Sequence, residues 1–460
     1  MVRKKEASRT PEFWIPSDRI VLPASRDFYT RLSGELDAMS FGEAVRTLCE
    51  PYYSSKTNVR PPIDPEVYFK MLLVGFFENL GSERGIASRC ADSLSIRTFL
   101  RYELTERVPD HSTLSVIRHR LPESVYASVF ALVLTAMRRE GLVRGSHLGI
   151  DSSVIEANAA LRSLHHRMTG ESYAAYVRTL AKAAGVNADD PAAVARFDRK
   201  RNGRKTSNAE WYNPHDPDAK VSIDKHGATD MLYKTEHVVD LETGAIVEAR
   251  TLPADQGDAE ALTDRVGAAQ VRLEAVGAPE AETVTADKGY HKTSELVALQ
   301  ARRLRTIIPE RQQKRVREHY TDAEWTALAR ADAAVKAEDG KTLLKQRGQH
   351  IERSFAHVLD SGGGRRTTLR GLLNVQKRQW AATLGYNLSL WMRVATGNGT
   401  PKQRAAAAES IKNALVCAWL GRFVATREYE YIATRTAPRS QHPNPRQSAT
   451  TKLLAFSTGC

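Results

Sequence analysis

Apolar residues recur at helical spacing from 67 to 80, at Tyr68, Met71, Leu72, Phe76 and Phe77. Asp64 and Pro65 stand just before them, and an Asp cap followed by Pro in the first turn starts a helix. Shorter helical stretches follow, with Ser82, and then Ser93 or Ser95, as candidate caps. DHSTLSVIRHRL, at 110–121, opens on polar cap residues and closes basic. A longer amphipathic helix is predicted over 123–140. The block from about 63 to 140 therefore reads as all-helical. Residues 1 to about 60 are interrupted by prolines and show no long period.

The pattern changes at Gly145. HLGID, at 147–151, is a short apolar run that ends in a carboxylate. Residues 160–207 read as a helical insertion. Strand-like runs follow at 220–223 and 232–239. Asp240–Gly244 has hairpin-turn chemistry, and a second strand returns over 245–252. A helix is predicted over 258–276, a strand over 283–286, a helix over 296–304 and a strand over 306–309. Residues 310–348 are polar and charged. A helix over 351–359, a break at Gly362-Gly363-Gly364 and a long helix over 369–394 complete the pattern. The tail from 396 carries one predicted helix, near 404–423, and then a Pro/Ser/Thr-rich end. The expected fold class is a mixed α/β layer with one antiparallel hairpin, preceded by an all-helical domain.

Charge narrows the partners. The chain has 460 residues, with 67 Lys and Arg against 54 Asp and Glu, and its net charge of +13 points to a polyanion such as nucleic acid. Its four cysteines, Cys49, Cys90, Cys417 and Cys460, are scattered without a C-x-x-C pair. That argues against a disulfide framework and against a cysteine zinc site. The longest mostly apolar stretch, 125–137, is too short to span a bilayer. The basic start MVRKKEASRT lacks the apolar segment of a secretory signal. The expected location is the cytoplasm, at the nucleoid.

Three carboxylates stand where chemistry would want them. Asp151 closes the first strand-like run, Asp287 follows the strand ETVTA, and Glu352 lies on a helix just after Ile351. Strand ends in such sheets are where ligands bind. Mg²⁺ takes hard oxygen ligands, and two such ions about 4 Å apart can activate a nucleophile and stabilise a leaving oxygen. Each residue also has a plainer explanation. An Asp at a strand end commonly caps a turn, and a helical Glu beside an Arg commonly faces solvent. Asp216, Asp218 and Asp240 are explained by turns alone. Spacing by itself does not select the three.

Longer motifs do. The stretches RPPIDPEVYFKMLLVGFFENLGSERGIASRC and PDHSTLSVIRHRL lie in the helical front. GIDSSVIEANAA, YKTEHVVDLETGAIVEA, TADKGYH, HIERSFAHVLDSGGGRRTTLRGLLNVQKR and GYNLSLWMR follow in order. Over roughly residues 60–395 the chain resembles the DDE transposases of bacterial insertion sequences. The resemblance implies a ribonuclease-H-like catalytic core with a helical N-terminal domain. It puts the first Asp on the first strand, the second after the fourth strand and the Glu on a late helix, at Asp151, Asp287 and Glu352. It implies Mg²⁺ at these three, with Mn²⁺ as a substitute, and DNA cleavage followed by joining of the 3′-hydroxyl to target DNA. Many relatives also carry a Lys seven residues after the Glu, and an Arg and a Tyr before it. Here 359 is Leu, 348 is Gly and 345 is Lys.

The implied organisation has four parts: an N-terminal arm (1–62), a helical DNA-binding or dimerisation domain (63–143), a catalytic domain (144–395) and a C-terminal tail (396–460). The catalytic domain carries insertions at about 160–219 and 310–348. The expected partners are double-stranded DNA, both terminal inverted repeats and target, and further copies of the chain, as a homodimer or higher assembly on DNA. Candidate phosphate contacts are Arg365, Arg366, Arg370 and Lys377, from the stretch 361–380 after the Glu, which is basic and holds no acid, together with Lys288 and Lys234. Arg118 and Arg120 on a candidate recognition helix, with Ser112 or Ser115, are further candidates. Arg196, Arg199, Lys200, Arg201, Arg204 and Lys205 form a basic patch that fits either a DNA clamp or a loop. His291 and His350 flank the carboxylates as candidate proton or phosphate contacts. Two other readings compete: a catalytically silent DNA-binding relative, and a ribonuclease-H-like nuclease acting on an RNA–DNA hybrid.

Overall fold

In the computed structural model the described residues are 25–53, 63–202, 206–224, 226–310 and 315–396. Arg204, Lys205 and the tail helix expected near 404–423 lie outside them.

Among the described residues, seven α-helices build the front: α1 (Ser25–Ala38), α2 (Phe41–Cys49), α3 (Pro65–Phe77), α4 (Glu83–Asp92), α5 (Leu94–Phe99), α6 (His111–Arg120) and α7 (Glu123–Arg139). The caps explain the starts. Asp64 accepts from the Glu66 N–H at 2.9 Å, Ser82 from Gly85 at 3.1 Å and Asp110 from Thr113 at 3.0 Å. Ser93, and not Ser95, caps α5. The stretch without an evident period holds α1 and α2. Phe28, Tyr29, Leu32 and Leu36 of α1, and Phe41, Val45 and Cys49 of α2, are fully buried. These stripes are narrow and short, so they do not stand out among the prolines.

The second half is a mixed sheet wrapped by helices. Its strands are β1 (His147–Glu156), β2 (His165–His166), β3 (Trp211–Tyr212), β4 (Lys220–Ile223), β5 (Thr229–Asp240), β6 (Ile246–Pro253), β7 (Thr283–Thr285) and β8 (Arg305–Ile307). The helices are α8 (Tyr173–Ala183), α9 (Pro191–Lys200), α10 (Leu262–Ala275), α11 (Thr293–Ala301), α12 (Asp322–Lys336), α13 (Glu338–Phe355) and α14 (Leu372–Thr396). β5 is central. It pairs antiparallel with β1 on one side, and with β6 and β4 on the other. β1 continues the sheet in parallel to β7, and β7 to β8. β2 and β3 form a separate small pair. Between β1 and β5, α8 and α9 gather around Trp211, whose ring meets His166, Tyr173 and Tyr176.

The polar stretch 310–348 contains α12 and most of α13. A capping box of Thr321 and Glu324 opens α12. Its buried face is Ala327, Leu328, Ala331 and Ala334. Alanines carry this period, so hydrophobicity alone does not reveal it. α13 therefore starts well before the predicted 351, and it ends in a wide turn ahead of the glycine break.

α13 and α10 lie on opposite faces of the sheet. Ser354 of α13 meets His237, whereas Arg265 of α10 meets the adjacent side chain, Glu236, from the other side. α14 covers the outer edge of β6 and satisfies its backbone. The Ile246 N–H donates to Asn387 Oδ1 at 3.0 Å, and Asn387 Nδ2 donates back to Ile246 O at 2.8 Å. The Thr251 N–H donates to Gln376 Oε1 at 2.5 Å, and Gln376 Nε2 donates to Ala249 O at 3.0 Å. Two buried amides thus complete an edge that would otherwise bury unpaired groups.

Two predictions follow from this packing. Asn387→Leu keeps the volume and strands two backbone groups, so it should cost about 1–3 kcal/mol in denaturant unfolding. The second concerns His237, which is buried, stacked on Phe355 and hydrogen-bonded to Ser354 Oγ at 2.9 Å. Burial pushes it down from 6.5 to about 3, so it folds neutral. Between those values the unfolded chain binds the extra proton. Stability should therefore fall as pH drops below about 6.5, by up to about 1.4 kcal/mol per pH unit from this group. His237→Gln should flatten the acid limb of an unfolding series measured from pH 7.5 to 4.5.

Candidate active site

The parallel pairing of β1 with β7 sets the geometry. His147 lies opposite Thr283, Leu148 opposite Val284 and Gly149 opposite Thr285. There β7 stops, while β1 runs on to Glu156. Two residues beyond the last aligned pair come Asp151 and Asp287, at one height on neighbouring chains. Asp287 remains extended (φ −81°, ψ 176°) and accepts the Gly289 N–H at 2.8 Å, which caps a tight turn over Lys288–Tyr290.

Gly149 brings α13 close. A Cβ there would stand 2.5 Å from Leu241 Cδ2 and 3.3 Å from both Arg347 Cγ and Ile351 Cδ1. From this position Arg347 donates to Asp151 Oδ2 at 2.5 Å and to Ile150 O at 3.3 Å. The Ser152 N–H donates to Asp151 Oδ1 at 2.8 Å. Burial nevertheless raises the Asp151 carboxyl to about 6, with Asp287 and Asp258 pushing the same way against Arg347. The two predicted aspartates therefore feel each other's charge.

Glu352 sits on α13 one residue past Ile351, which is buried. Its own side chain is exposed and makes no hydrogen bond or ion pair with the described residues. Among the described residues, no three Asp, Glu, His or Cys side chains are gathered tightly enough to hold a metal ion. The structure brings Asp151 and Asp287 together and leaves Glu352 on the adjoining helix.

Sequence reasoning missed two participants. Arg347 stands one position before the 348 at which the resemblance asks for an arginine, so the signal was present but offset. Asp258 was read as a helix start, yet the helix begins at Leu262. Asp258 Oδ1 accepts from Ser152 Oγ at 2.7 Å and from Lys234 Nζ at 2.8 Å.

The basic candidates divide. Lys377 is 7% exposed, with its Nζ on Arg118 O at 2.8 Å and over the Tyr126 ring. Arg118 is 8% exposed and binds Glu83 and Asn374, each at 2.8 Å. Neither is free to meet DNA; they pin α6 to α14. Lys234 is likewise buried against Asp258. Arg365 is half-buried, donating to Ser153 Oγ, Val154 O and Asp360. Its main chain pairs with Glu156 and caps the β1 edge that β7 leaves open. Arg366 keeps its side chain 75% exposed, 3.9 Å from Glu156. Arg370 is exposed while touching Asn158 O, Lys288 is exposed, and Arg120 is exposed over the Tyr53 ring. His350 packs on Gly244 at the β5–β6 turn and is lowered by burial, as is His291.

Comparison with known proteins gives two family matches. A transposase domain (DUF772) matches residues 19–120, and a transposase DDE domain matches residues 202–388. A mixed sheet with two aspartates brought together where β7 stops beside β1, behind a helical domain, is thus that of a transposase. The chain belongs to the DDE transposases of insertion sequences, a family that binds DNA and generally depends on a divalent metal. Asp287 and Glu352 fall inside the DDE match; Asp151 precedes it, on the far side of the α8–α9 segment. No curated protein matches the chain.

The exposed and buried cations make a contrast that can be measured. Arg366→Ala should reduce the slope of log K against log salt on duplex DNA by about 1. Lys377→Met should leave that slope unchanged and shift the thermal midpoint instead.

Proposed function

We propose that this transposase cuts the ends of its insertion sequence and joins the freed 3′-hydroxyls to target DNA, with Asp151, Asp287 and Glu352 as its acidic triad. The observation that carries this reading is the placement of Asp151 and Asp287 at one height on β1 and β7. With β4 set aside as an edge addition, Asp151 is on the first strand of the main sheet, Asp287 follows the fourth and Glu352 is on a late helix. That order supports a ribonuclease-H-like core.

The donor set fits a divalent ion. It is all carboxylate oxygen, which suits Mg²⁺ or Mn²⁺. Asp151 is raised chiefly by burial, with Asp287 and Asp258 near enough to add to it and Arg347 opposing. Asp151, Asp287 and Glu352 would hold the ion, which when bound activates water or a 3′-hydroxyl and stabilises the leaving oxygen. Arg347 orients Asp151 against β1, and the Gly289 N–H orients Asp287. Lys288, exposed beside Asp287, and Arg366 and Arg370, exposed by Glu156 and Asn158 past the far end of β1, are offered as contacts for DNA phosphates. The chain forms no covalent intermediate, because phosphodiesters exchange directly, and ATP is not consumed. The helical front, with exposed His111, Ser112, His119 and Arg120 on α6, serves duplex binding or dimerisation. Two element ends held together call for a homodimer or more on DNA. The protein acts in the cytoplasm at the nucleoid; no helix among the described residues is long and apolar enough to cross a membrane.

One observation favours a second reading. Glu352 stands apart from the two aspartates while Arg347 occupies Asp151, as a silent DNA-binding relative would allow. A labelled duplex carrying the DNA that flanks the gene, in Mg²⁺ at low salt, separates the two. The parent should nick at the element end. Asp151→Ala, Asp287→Ala and Glu352→Ala should each lose about 10³-fold or more in cleavage while still shifting the duplex. Full cutting by Asp287→Ala would sink the triad. Specific binding without a cut in Mg²⁺ or Mn²⁺ would establish the silent relative. Cleavage of an RNA–DNA hybrid without strand transfer would establish the nuclease.

A further inference from the structure

Lys234 is a buried cation beside a cluster that needs its carboxylates free. Its side chain is 7% exposed, on the opposite face of β5 from His237. A buried ammonium must have a counter-charge. It has one in Asp258 at 2.8 Å, with Gln256 O at 2.5 Å as a second acceptor. Asp258 gives Oδ1 to Lys234 and to Ser152, the residue after Asp151.

Its other oxygen faces the Asp287 turn. A Cβ on Gly289 would lie 2.9 Å from Asp287 Oδ1 and 3.4 Å from Asp258 Oδ2. The two carboxylates therefore flank one point, and only glycine leaves room for both. Asp287 is thus the other carboxylate at the point that Asp258, the partner of Lys234, flanks.

We propose that Asp258 is a positioning residue of the acidic site: it occupies Lys234 and so keeps that cation from capturing Asp287. The same contact holds Ser152, and with it the strand that carries Asp151. Asp258 thus acts through its neighbours and keeps Asp287 available to a divalent ion. This inference rests on the reading of Asp151 and Asp287 as ion ligands.

The test is Mn²⁺ affinity of the full chain, measured by calorimetry without DNA. Asp258→Ala should weaken Mn²⁺ binding by about tenfold or more. Adding Lys234→Met removes the freed cation and should recover most of that loss, which a merely structural role for Asp258 would not allow. Asp258→Asn keeps an acceptor for Ser152 and Lys234 but loses the charge. It should weaken binding in the same direction, and it carries the test if the alanine variant does not fold. The inference is overturned if the Asp258 variants bind Mn²⁺ within about twofold of the parent, or if Asp258→Ala with Lys234→Met binds no more tightly than Asp258→Ala. A parent that binds no Mn²⁺ removes the ion-ligand reading and this inference together. A parent that binds, with all variants equal to it, removes this inference alone.

Discussion

The pairing of Gly149 with Thr285 is the constraint on which the site depends. It ends β7 while β1 continues, so that Asp287 leaves the ladder beside Asp151, which stays paired to β5. Parallel strands have a fixed register once their side chains are buried, and a slip by one residue would turn Asp151 to the opposite face. There it would meet α10 and lose Arg347. Gly149 tightens the arrangement, because its missing side chain lets Ile351 and Arg347 rest directly on the strand. The position of α13, and with it of Glu352, thus follows from the same residue that sets the register.

Bringing carboxylates together in a half-buried place has an electrostatic cost. Asp151 shows it, with a carboxyl raised to about 6, by burial first and by Asp287 and Asp258 after it, despite an arginine in contact. The chain distributes compensating cations with some care. Arg347 serves Asp151 on the α13 face. On the other face Arg265 serves Glu236, and Lys234 serves Asp258. Buried pairs of this kind contribute little net stability, since desolvation offsets their attraction. Removing one partner is a different matter, because it leaves a charge that will seek the nearest opposite one. Positions of cations around such a site therefore matter as much as positions of the acids.

Much of this was legible in the sequence, and the failures have physical causes. Asp64-Pro65, Ser82 and Asp110 announced their helices because a cap is a local hydrogen bond. The hairpin and the end of the strand before Asp287 were readable for a similar reason, since turn chemistry is local; Asp151, expected to close its strand, stands instead in the middle of β1, which pairs with β5 as far as Glu156. α12 escaped because alanines form its buried face, and α1 because prolines obscure the surrounding pattern. Lys377 and Arg118 were misjudged because charge says nothing of burial, and a long aliphatic stem lets a cation pack inside. Asp258 and Arg347 escaped because their meaning lies in contacts across more than a hundred residues of chain, Ser152 to Asp258 and Asp151 to Arg347.

α14 gives the two halves of the molecule their coupling. One face carries Asn374, Lys377 and Trp380, which bind Arg118, the Arg118 carbonyl and Glu123 of the helical front. Another carries Gln376 and Asn387, about three turns apart, which close the edge of β6. A helix that satisfies buried polar groups on both sides cannot slide or rotate without leaving them unpaired. The front and the sheet are therefore held in one relation, and DNA gripped by the first would meet the second at a fixed offset. On the proposed function, that fixed offset is what would let a recognised sequence present one phosphate, and not its neighbours, to Asp151 and Asp287. The buried cations Lys377 and Arg118 belong to this coupling: they hold α6 against α14.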